Sequence, residues 1–464
     1  MMIMPDREPD RRILEGFRAG WWDCLTRRRD VLFQLGDAVL TGGTRVEDLA
    51  GLSLAGVFTR GHGALYDAVN QGRIDDARLK HVLAATPLPR FPGNRIVLAI
   101  DVSNWLRPGA ACAAQRLFCH VYARGKGQAQ MIPGWPYSFV VALEPGKHSW
   151  VAVLDARRLG PDDDDTQVAA TQIRQVIARL TATGAFNLAD PPITLVCDAG
   201  YDITRLAWLL DDLPVVLVGR LRCDRVFHQP GIRHCDQPGR PARHGRRLEL
   251  ANPATLVACD QTRQVDTTRY GHLQVDVFYR AHPRLARRGA WADHDGQLPL
   301  IEGTLIHVCP DHLPGGQDPQ PMWLWASQPE ASSDQIDSWW MAYLRRFDIE
   351  HTFRFFKQQL GWTAPLLRDP LAADRWTWLI IACYTQLRLA RGLAGDIRLP
   401  WQPPCPSTWL TPARVRRGFP CLYPMLSHPA SAPKPTKPGP GRPKGSRNRV
   451  KAPIQPVGKT HPKG

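Results

Sequence analysis

The sequence predicts an α/β fold in which helices cover a mixed sheet, and three features of the chain support this class. Short apolar runs rich in branched residues, which are typical of buried strands, alternate with segments of helical periodicity. The 464 residues are sufficient for a large core and for two or three folding units. The sequence contains no apolar run of about 18 residues and no secretory segment, so we expect a soluble, cytoplasmic protein without membrane spans.

The composition favours a polyanionic partner. The formal net charge is +16 and the pI is about 9.6. Nucleic acid is therefore the first candidate partner, ahead of an acidic membrane surface, for which the sequence offers no amphipathic basic anchor. Eleven cysteines are scattered without a repeated spacing, which is typical of reduced thiols in a cytosolic protein.

Composition and periodicity divide the chain into five regions. They are a helical N-terminal domain (1–90), a first part of the core (91–220), a β-rich insertion (221–330), a second, helical part of the core (331–398) and a Pro-rich basic tail (399–464). Core strands are predicted at 96–100, 117–122, 137–143, 149–154, 192–197 and 214–218, with helices at 168–180, 201–211 and 371–394. Strands of the insertion are predicted at 255–259, 273–279, 300–308 and 322–327.

A single long helix is predicted over residues 332–362. Ser332 and Gln335 have the spacing of a capping box, and Gly361 is a natural stop. The helix carries two polar stripes. One of them is expected to face solvent and contains Arg345, Asp348, Thr352 and Gln359.

The other stripe is flanked by aromatic residues on both sides. At about 100° per residue, Tyr343, Arg346, Glu350 and Lys357 share this face. A carboxylate between apolar flanks needs a counter-charge or a metal ion. Two interpretations are open for the helix alone: a structural ion-pair cluster of Arg346, Glu350 and Lys357, or one wall of a functional site.

Two aspartates, Asp101 and Asp198, each follow a short apolar run, in the sequences AIDVS and CDAGY. Neighbouring strand ends of an α/β layer can converge, and the helix with Glu350 could pack beside them. Three carboxylates in one place repel each other, and divalent cations are the best means to neutralise their charge. Two Mg²⁺ ions at such a site would suit phosphoryl transfer on DNA.

These residues resemble a known family. Tyr343, two residues, Arg346, three residues, Glu350, six residues and Lys357 form the signature of bacterial insertion-sequence transposases of the DDE type. Asp101 and Asp198 resemble the first two carboxylates of that family, and the spacing of 152 residues from Asp198 to Glu350 leaves room for a β-rich insertion. The resemblance extends from Asp101 to about Lys357, and is less clear over the N-terminal domain.

The resemblance implies a ribonuclease-H-like catalytic core that acts as a homodimer on double-stranded DNA in the bacterial nucleoid. Asp101, Asp198 and Glu350 would be both the catalytic residues and the ligands of two Mg²⁺ or Mn²⁺ ions. The enzyme would cut at the terminal repeats of its element and join the freed 3′-hydroxyl to other DNA. Tyr343, Arg346 and Lys357 would bind phosphates near the cut, as their chemistry also suggests.

The last 35 residues contain nine Lys or Arg and no acidic residue, and are expected to be disordered in isolation. Within them, PGRPKGSRNR resembles an AT-hook, in which Arg442 and Lys444 would lie in the minor groove of A·T-rich DNA. A nonspecific basic tail is the alternative. Trp323 and Trp325 could stack on a displaced base, although a place in the core is the preferred interpretation.

Three other functions compete with an active cut-and-paste transposase. The first is a catalytically retired, domesticated transposase that only binds DNA. The second is a glycosidase that uses Asp101 and Glu350, which the basic charge disfavours. The third is a zinc site, for which the candidate ligands are Cys223, His228, His234 and Cys235.

Overall fold

The computed structural model describes residues 8–122, 129–231, 242–256, 258–268, 270–313, 319, 321–434, 445 and 451–458. Across these residues the chain forms a mixed α/β fold with eleven α-helices and fifteen β-strands. One large sheet with parallel and antiparallel strands lies at its centre. No helix in this described part is long and apolar enough to cross a membrane.

The first part of the chain is mainly helical. Asp48 and Asp75 cap two of its helices by accepting hydrogen bonds from backbone N–H groups in the first turn. Its elements are α1 (Glu8–Cys24), β1 (Leu25–Arg27), α2 (Arg29–Thr41), α3 (Leu49–Leu52), α4 (His62–Gln71), β2 (Arg73–Ile74) and α5 (Asp76–Ala84).

The predicted core strands are present, and most are longer than the apolar runs that predicted them. The elements are β3 (Val97–Leu106), β4 (Arg116–Tyr122), β5 (Ala129–Leu143), β6 (Val151–Arg158), α6 (Asp165–Ala182), β7 (Ile193–Cys197), α7 (Ile203–Leu209) and β8 (Val215–Leu221). β6, β5 and β3 pair antiparallel, whereas β3, β7 and β8 pair parallel. This order, β6-β5-β3-β7-β8, is consistent with a ribonuclease-H-like fold.

The region between β8 and the helix predicted from residue 332 is rich in strands, as predicted. Its elements are β9 (Val226–Pro230), β10 (His244–Glu249), β11 (Gln261–Thr267), β12 (Gly271–Ala281), β13 (Gly303–Pro310) and β14 (Met322–Ala326). β11 to β14 do not form a sheet of their own, because β14 pairs with β8 and extends the central sheet. The strand predicted at 255–259 is wrong. A short 3₁₀ turn occupies Pro253–Thr255, capped by the side chain of Asn252.

The predicted long helix is two helices. The remaining elements are α8 (Ser333–Arg345), α9 (Phe347–Gln358), α10 (Pro370–Leu389), α11 (Pro412–Leu422) and β15 (Val457–Gly458). The capping box of Ser332 and Gln335 is confirmed. Arg346 separates α8 from α9: its N–H bonds to Tyr343 O and its carbonyl accepts from Ile349, both at 3₁₀ spacing.

The central sheet separates two hydrophobic cores. On one face, β3, β5 and β7 pack against α6 and α7. On the other face, the same strands pack against α8, α9 and α10, and the helices α1 to α5 join this second core through α10. The domain boundaries predicted from the sequence stay a prediction.

The end of the described chain returns to the sheet. Val457 and Gly458 pair in parallel with β4, and Gln455 N–H donates to Ala111 O. The expectation of disorder concerned the tail in isolation and stays a prediction, whereas in this structure Gln455, Val457 and Gly458 have backbone partners at a sheet edge.

Gly361 is expected to be required for the turn that follows α9. Its φ is +67°, and a Cβ at this position would lie 2.6 Å from Val46 O. Gly361→Ala should therefore lower the free energy of unfolding by about 1 to 3 kcal/mol, measured by urea denaturation. Gly43→Ala is the control, since nothing lies within 4 Å of its added Cβ. Equal midpoints for the two variants would contradict the expected strain.

Candidate active site

Asp101 and Asp198 lie side by side on neighbouring parallel strands. The last pair of the ladder between β3 and β7 is Ile100 with Cys197, and each aspartate is the next residue of its strand or loop. β3 itself continues beyond Asp101, paired only with β5. The prediction that this strand ends at Asp101 is therefore wrong, and it is the parallel ladder that ends there.

Side-chain alternation turns both aspartates towards α9. Ile100 and Cys197 belong to the core under α6 and α7, and successive side chains of a strand point to opposite faces. Phe139, the partner of Asp101 on β5, packs against Phe353 of α9 with ring centroids 5.0 Å apart. The two carboxylates therefore lie on the sheet face that α9 covers.

Side chains of α8, α9 and their junction contact these carboxylates. Arg346 Nη1 donates to Asp101 Oδ2 at 2.9 Å, and Arg346 Nη2 donates to Glu350 Oε1 at 2.7 Å. The hydroxyl of Tyr343 donates to Asp198 Oδ1 at 3.5 Å, which is the outer limit of a hydrogen bond. Two signature residues thus link the three carboxylates to the same helical segment: Arg346 contacts Asp101 and Glu350, and Tyr343 contacts Asp198.

Burial dominates the electrostatics of this site. It raises the pKa of Asp101 to about 6, with Arg346 acting in the opposite direction and the carboxylates of Asp198 and Glu350 adding to the rise. Burial also raises the pKa of Tyr343 to about 12. For Arg346, burial disfavours the charged guanidinium, but the acidic neighbours outweigh this effect and the pKa is raised. Arg346 is therefore a permanent cation among the carboxylates.

Lys357 lies apart from these contacts. Its ammonium is 5.7 Å from the ring centroid of Trp362, and no ion pair to it occurs within the part of the chain that the structure describes. Burial lowers the pKa of Lys357, against the smaller raising effects of Cys119 and Asp101. The ion pair of Arg346 with Glu350 is present, but Lys357 does not join it.

The site opens into a cleft of about 410 Å³. Asp101 and Asp198 line it together with two arginines that were not predicted as site residues, Arg220 and Arg222. Both arginines are exposed and have no ion pair in the described part of the chain. A signal for Arg220 was available, since it lies two residues beyond the core strand predicted at 214–218.

Two further expectations concern the surroundings of the site. Two of the four residues that were expected to face solvent are buried, Asp348 at 7% and Thr352 at 2% exposure, while Arg345 and Gln359 are half-buried. This correction follows from α10, whose Tyr384 hydroxyl lies 3.4 Å from Thr352 Oγ1. Trp323 and Trp325 are 5% and 0% exposed, so their predicted place in the core is confirmed.

Some candidate residues lie outside the described part. These are Arg442 and Lys444 of the AT-hook-like segment, and His234 and Cys235 of the zinc candidate. Of the other zinc candidates, Cys223 is exposed and His228 lies on β9. Among the described residues, no three His, Cys, Asp or Glu side chains converge closely enough to ligate one ion, and this includes the three carboxylates as they stand.

The comparison with known proteins agrees with this geometry. No match is found among curated proteins. A family model described as DDE superfamily endonuclease matches residues 22–277, which is more than half of the chain. The matched segment contains Asp101 and Asp198 and ends before the signature helices. The chain belongs to the DDE superfamily of endonucleases.

Proposed function

We propose that this protein is a transposase that cleaves DNA strands at the ends of an insertion sequence and transfers them to target DNA. The observation that carries the proposal is that Arg346 bridges Asp101 and Glu350 while Tyr343 contacts Asp198. The family match supports an endonuclease acting on DNA, and the net charge of +16 suits that substrate.

The donor chemistry of the site fits hard divalent cations. Carboxylate oxygens are the ligands that Mg²⁺ and Mn²⁺ prefer. Asp101 is buried beside Asp198 and Glu350, an arrangement of like charges that cations relieve. We propose that these three residues hold two ions. When bound, such ions supply Lewis acidity towards phosphate oxygens and activate an attacking hydroxyl group.

The other signature residues would bind and orient DNA. Arg346 presents a planar guanidinium suited to a phosphate, and Tyr343 presents a hydroxyl at the same site. Lys357 lies further along α9 and would approach the DNA backbone from the side of Trp362. Arg220 and Arg222, which line the same cleft as Asp101 and Asp198, would bind a phosphate of the same strand.

The regions outside the core are assigned to DNA binding and assembly. Residues 1–90 would bind the terminal repeats, and the basic tail with Arg442 and Lys444 would bind A·T-rich DNA nearby. The enzyme would act as a homodimer on DNA, in the nucleoid of a bacterial cell. A retired transposase that only binds DNA would share this architecture, and the following experiment distinguishes it.

The test is cleavage of a duplex that carries the element's own ends, with Mg²⁺ or Mn²⁺. The wild-type protein should cut, and Glu350→Gln should cut slower by about a thousandfold or more, because several kcal/mol of transition-state stabilisation are lost. Glu8→Gln is the matched control, since Glu8 is exposed and pairs only with Arg12 within the described residues. Equal cutting by Glu350→Gln would exclude the mechanism. DNA binding without cutting by the wild type would favour the retired form.

A further inference from the structure

Arg346 lies between two of the three carboxylates and uses a separate nitrogen for each. Nη1 bonds to Asp101 at 2.9 Å and Nη2 bonds to Glu350 at 2.7 Å, and only 10% of the side chain is exposed. Arg346 is also the residue at which α8 ends and α9 begins. One guanidinium therefore links the strand that carries Asp101 to the helix that carries Glu350.

We propose that Arg346 is an internal counter-cation that keeps the carboxylate site closed to divalent cations until DNA binds. This inference rests on the proposed function and adds a regulation to it. In the closed form, Arg346 neutralises Asp101 and Glu350. In the open form, it bonds to a DNA phosphate instead, and the freed carboxylates are available as metal ligands.

The first argument is that the two roles of the carboxylates exclude each other. Oδ2 of Asp101 and Oε1 of Glu350 already accept hydrogen bonds from the guanidinium. An oxygen that coordinates a small hard cation cannot keep a second cation at hydrogen-bond distance without strong repulsion. With the guanidinium in place, no three candidate ligands among the described residues converge on one point.

The second argument is that Arg346 has a suitable alternative partner. A guanidinium binds a phosphate through the same planar pair of N–H donors that it uses for carboxylates. The cleft beside Asp101 is open to solvent and is lined by the exposed Arg220 and Arg222, so a DNA strand would bring its phosphates to this place. The side chain of Glu350 is 39% exposed, which leaves room for the exchange.

The third argument concerns where Arg346 is attached. The junction of α8 and α9 is held by hydrogen bonds of 3₁₀ spacing, Arg346 to Tyr343 O and Ile349 to Arg346 O. Such a tight turn inside a helical segment is a common place for local adjustment. A shift of the guanidinium from carboxylate to phosphate therefore needs no change in the packed part of either helix.

The test measures Mn²⁺ binding by electron paramagnetic resonance, which does not require catalysis. In the absence of DNA, Arg346→Gln should bind Mn²⁺ about tenfold or more tightly than the wild type. Arg346→Lys keeps the charge but cannot bridge both carboxylates, so its affinity should lie between the two. Arg354→Gln removes the same charge one turn beyond Glu350. Arg354 is exposed without an ion pair among the described residues, and this variant should bind like the wild type.

Addition of the element-end duplex completes the test. It should tighten Mn²⁺ binding by the wild type about tenfold and should have little effect on Arg346→Gln, whose site is already open. Wild-type affinity or weaker in Arg346→Gln without DNA would overturn the proposal. If that variant does not fold, wild-type affinity in Arg346→Lys would overturn it equally. These outcomes are independent of cleavage, so the proposed function can stand where this regulation fails.

Discussion

Asp101→Asn is expected to abolish DNA cleavage while leaving the stability of the protein almost unchanged. The carboxylate is buried, and two other carboxylates lie near it, so its ionised form is costly in the folded protein. The change removes this cost together with the ion pair to Arg346, which keeps Glu350 as its charged partner. The free energy of unfolding should change by no more than about 1 kcal/mol, because the two effects oppose each other.

The loss of activity should be large. Replacement of an ionised metal ligand by a neutral amide removes several kcal/mol of transition-state stabilisation, so the cleavage rate should fall by about a thousandfold or more. The measurements are the rate of strand cleavage with Mg²⁺ and the midpoint of urea denaturation. A variant that melts early and cuts in proportion to its folded fraction would show that Asp101 is a structural residue.

Asp155→Asn is the matched control, because Asp155 is a buried aspartate of the same sheet with a structural environment. It is 1% exposed and pairs with Lys80 and Arg179. The substitution leaves Arg179 without its ionic partner and leaves Lys80 with Asp76 alone, and it should cost about 3 kcal/mol of stability. The folded fraction of this variant should cut DNA at the wild-type rate. Asp101→Asn should therefore lose cleavage and keep its stability, whereas Asp155→Asn should lose stability and keep the cleavage rate of its folded fraction.

The sequence was sufficient to predict the centre of the fold. β7 is buried on both faces and reads as a continuous apolar run, so its bounds and type were visible without any partner. The capping box of Ser332 was visible for a similar reason, since all its groups lie within four residues. Asp101 and Asp198 were selected from a similar local signal, because each follows a short apolar run.

Features that depend on partners distant in sequence were not predictable. The polar residues Ser103 and Asn104 look like the start of a loop, yet they continue β3 because β5 supplies an antiparallel partner. Thr352 looks like a solvent-facing residue, yet α10 covers it. Local sequence does not reveal which element will cover a given face.

The break at Arg346 has the same cause. Helical periodicity continues through this residue without a Gly or Pro, so the sequence predicts an uninterrupted helix. In the structure, the side chain is bonded at once to a strand and to the following helical turn. The helix therefore adjusts to a contact with the sheet, and that contact exists only in the folded chain.

Trp362→Ala is expected to lower the free energy of unfolding by about 3 to 5 kcal/mol. The ring is fully buried between the sheet and α10, and its Nε1 donates to Thr377 Oγ1 at 2.9 Å. It contacts the rings of Tyr137 and Phe139, with centroids 5.6 and 5.4 Å away. Its removal leaves a large cavity and an unused hydrogen-bond acceptor in the core.

Removal of the Trp362 ring should also affect the active site. Phe139 pairs with Asp101 across β3 and β5, and the chain at Trp362 follows directly from α9. Without the ring, α9 loses the contact of Phe356 with Trp362 and keeps the packing of Phe353 and Phe356 on Phe139, so Glu350 is held less firmly against the sheet. The cleavage rate per folded molecule should therefore fall, although Trp362 does not contact the carboxylates.

Two controls make this result specific. Trp362→Phe retains an aromatic ring and should cost only about 1 to 2 kcal/mol, with most of the cleavage rate preserved. Trp401→Ala removes a ring that is 76% exposed, and should change stability by no more than about 0.5 kcal/mol. Urea denaturation gives the stabilities, and cleavage normalised to the folded fraction gives the rates. Wild-type cleavage by folded Trp362→Ala would show that Arg346 and the packing of Phe353 on Phe139 are sufficient to position Glu350.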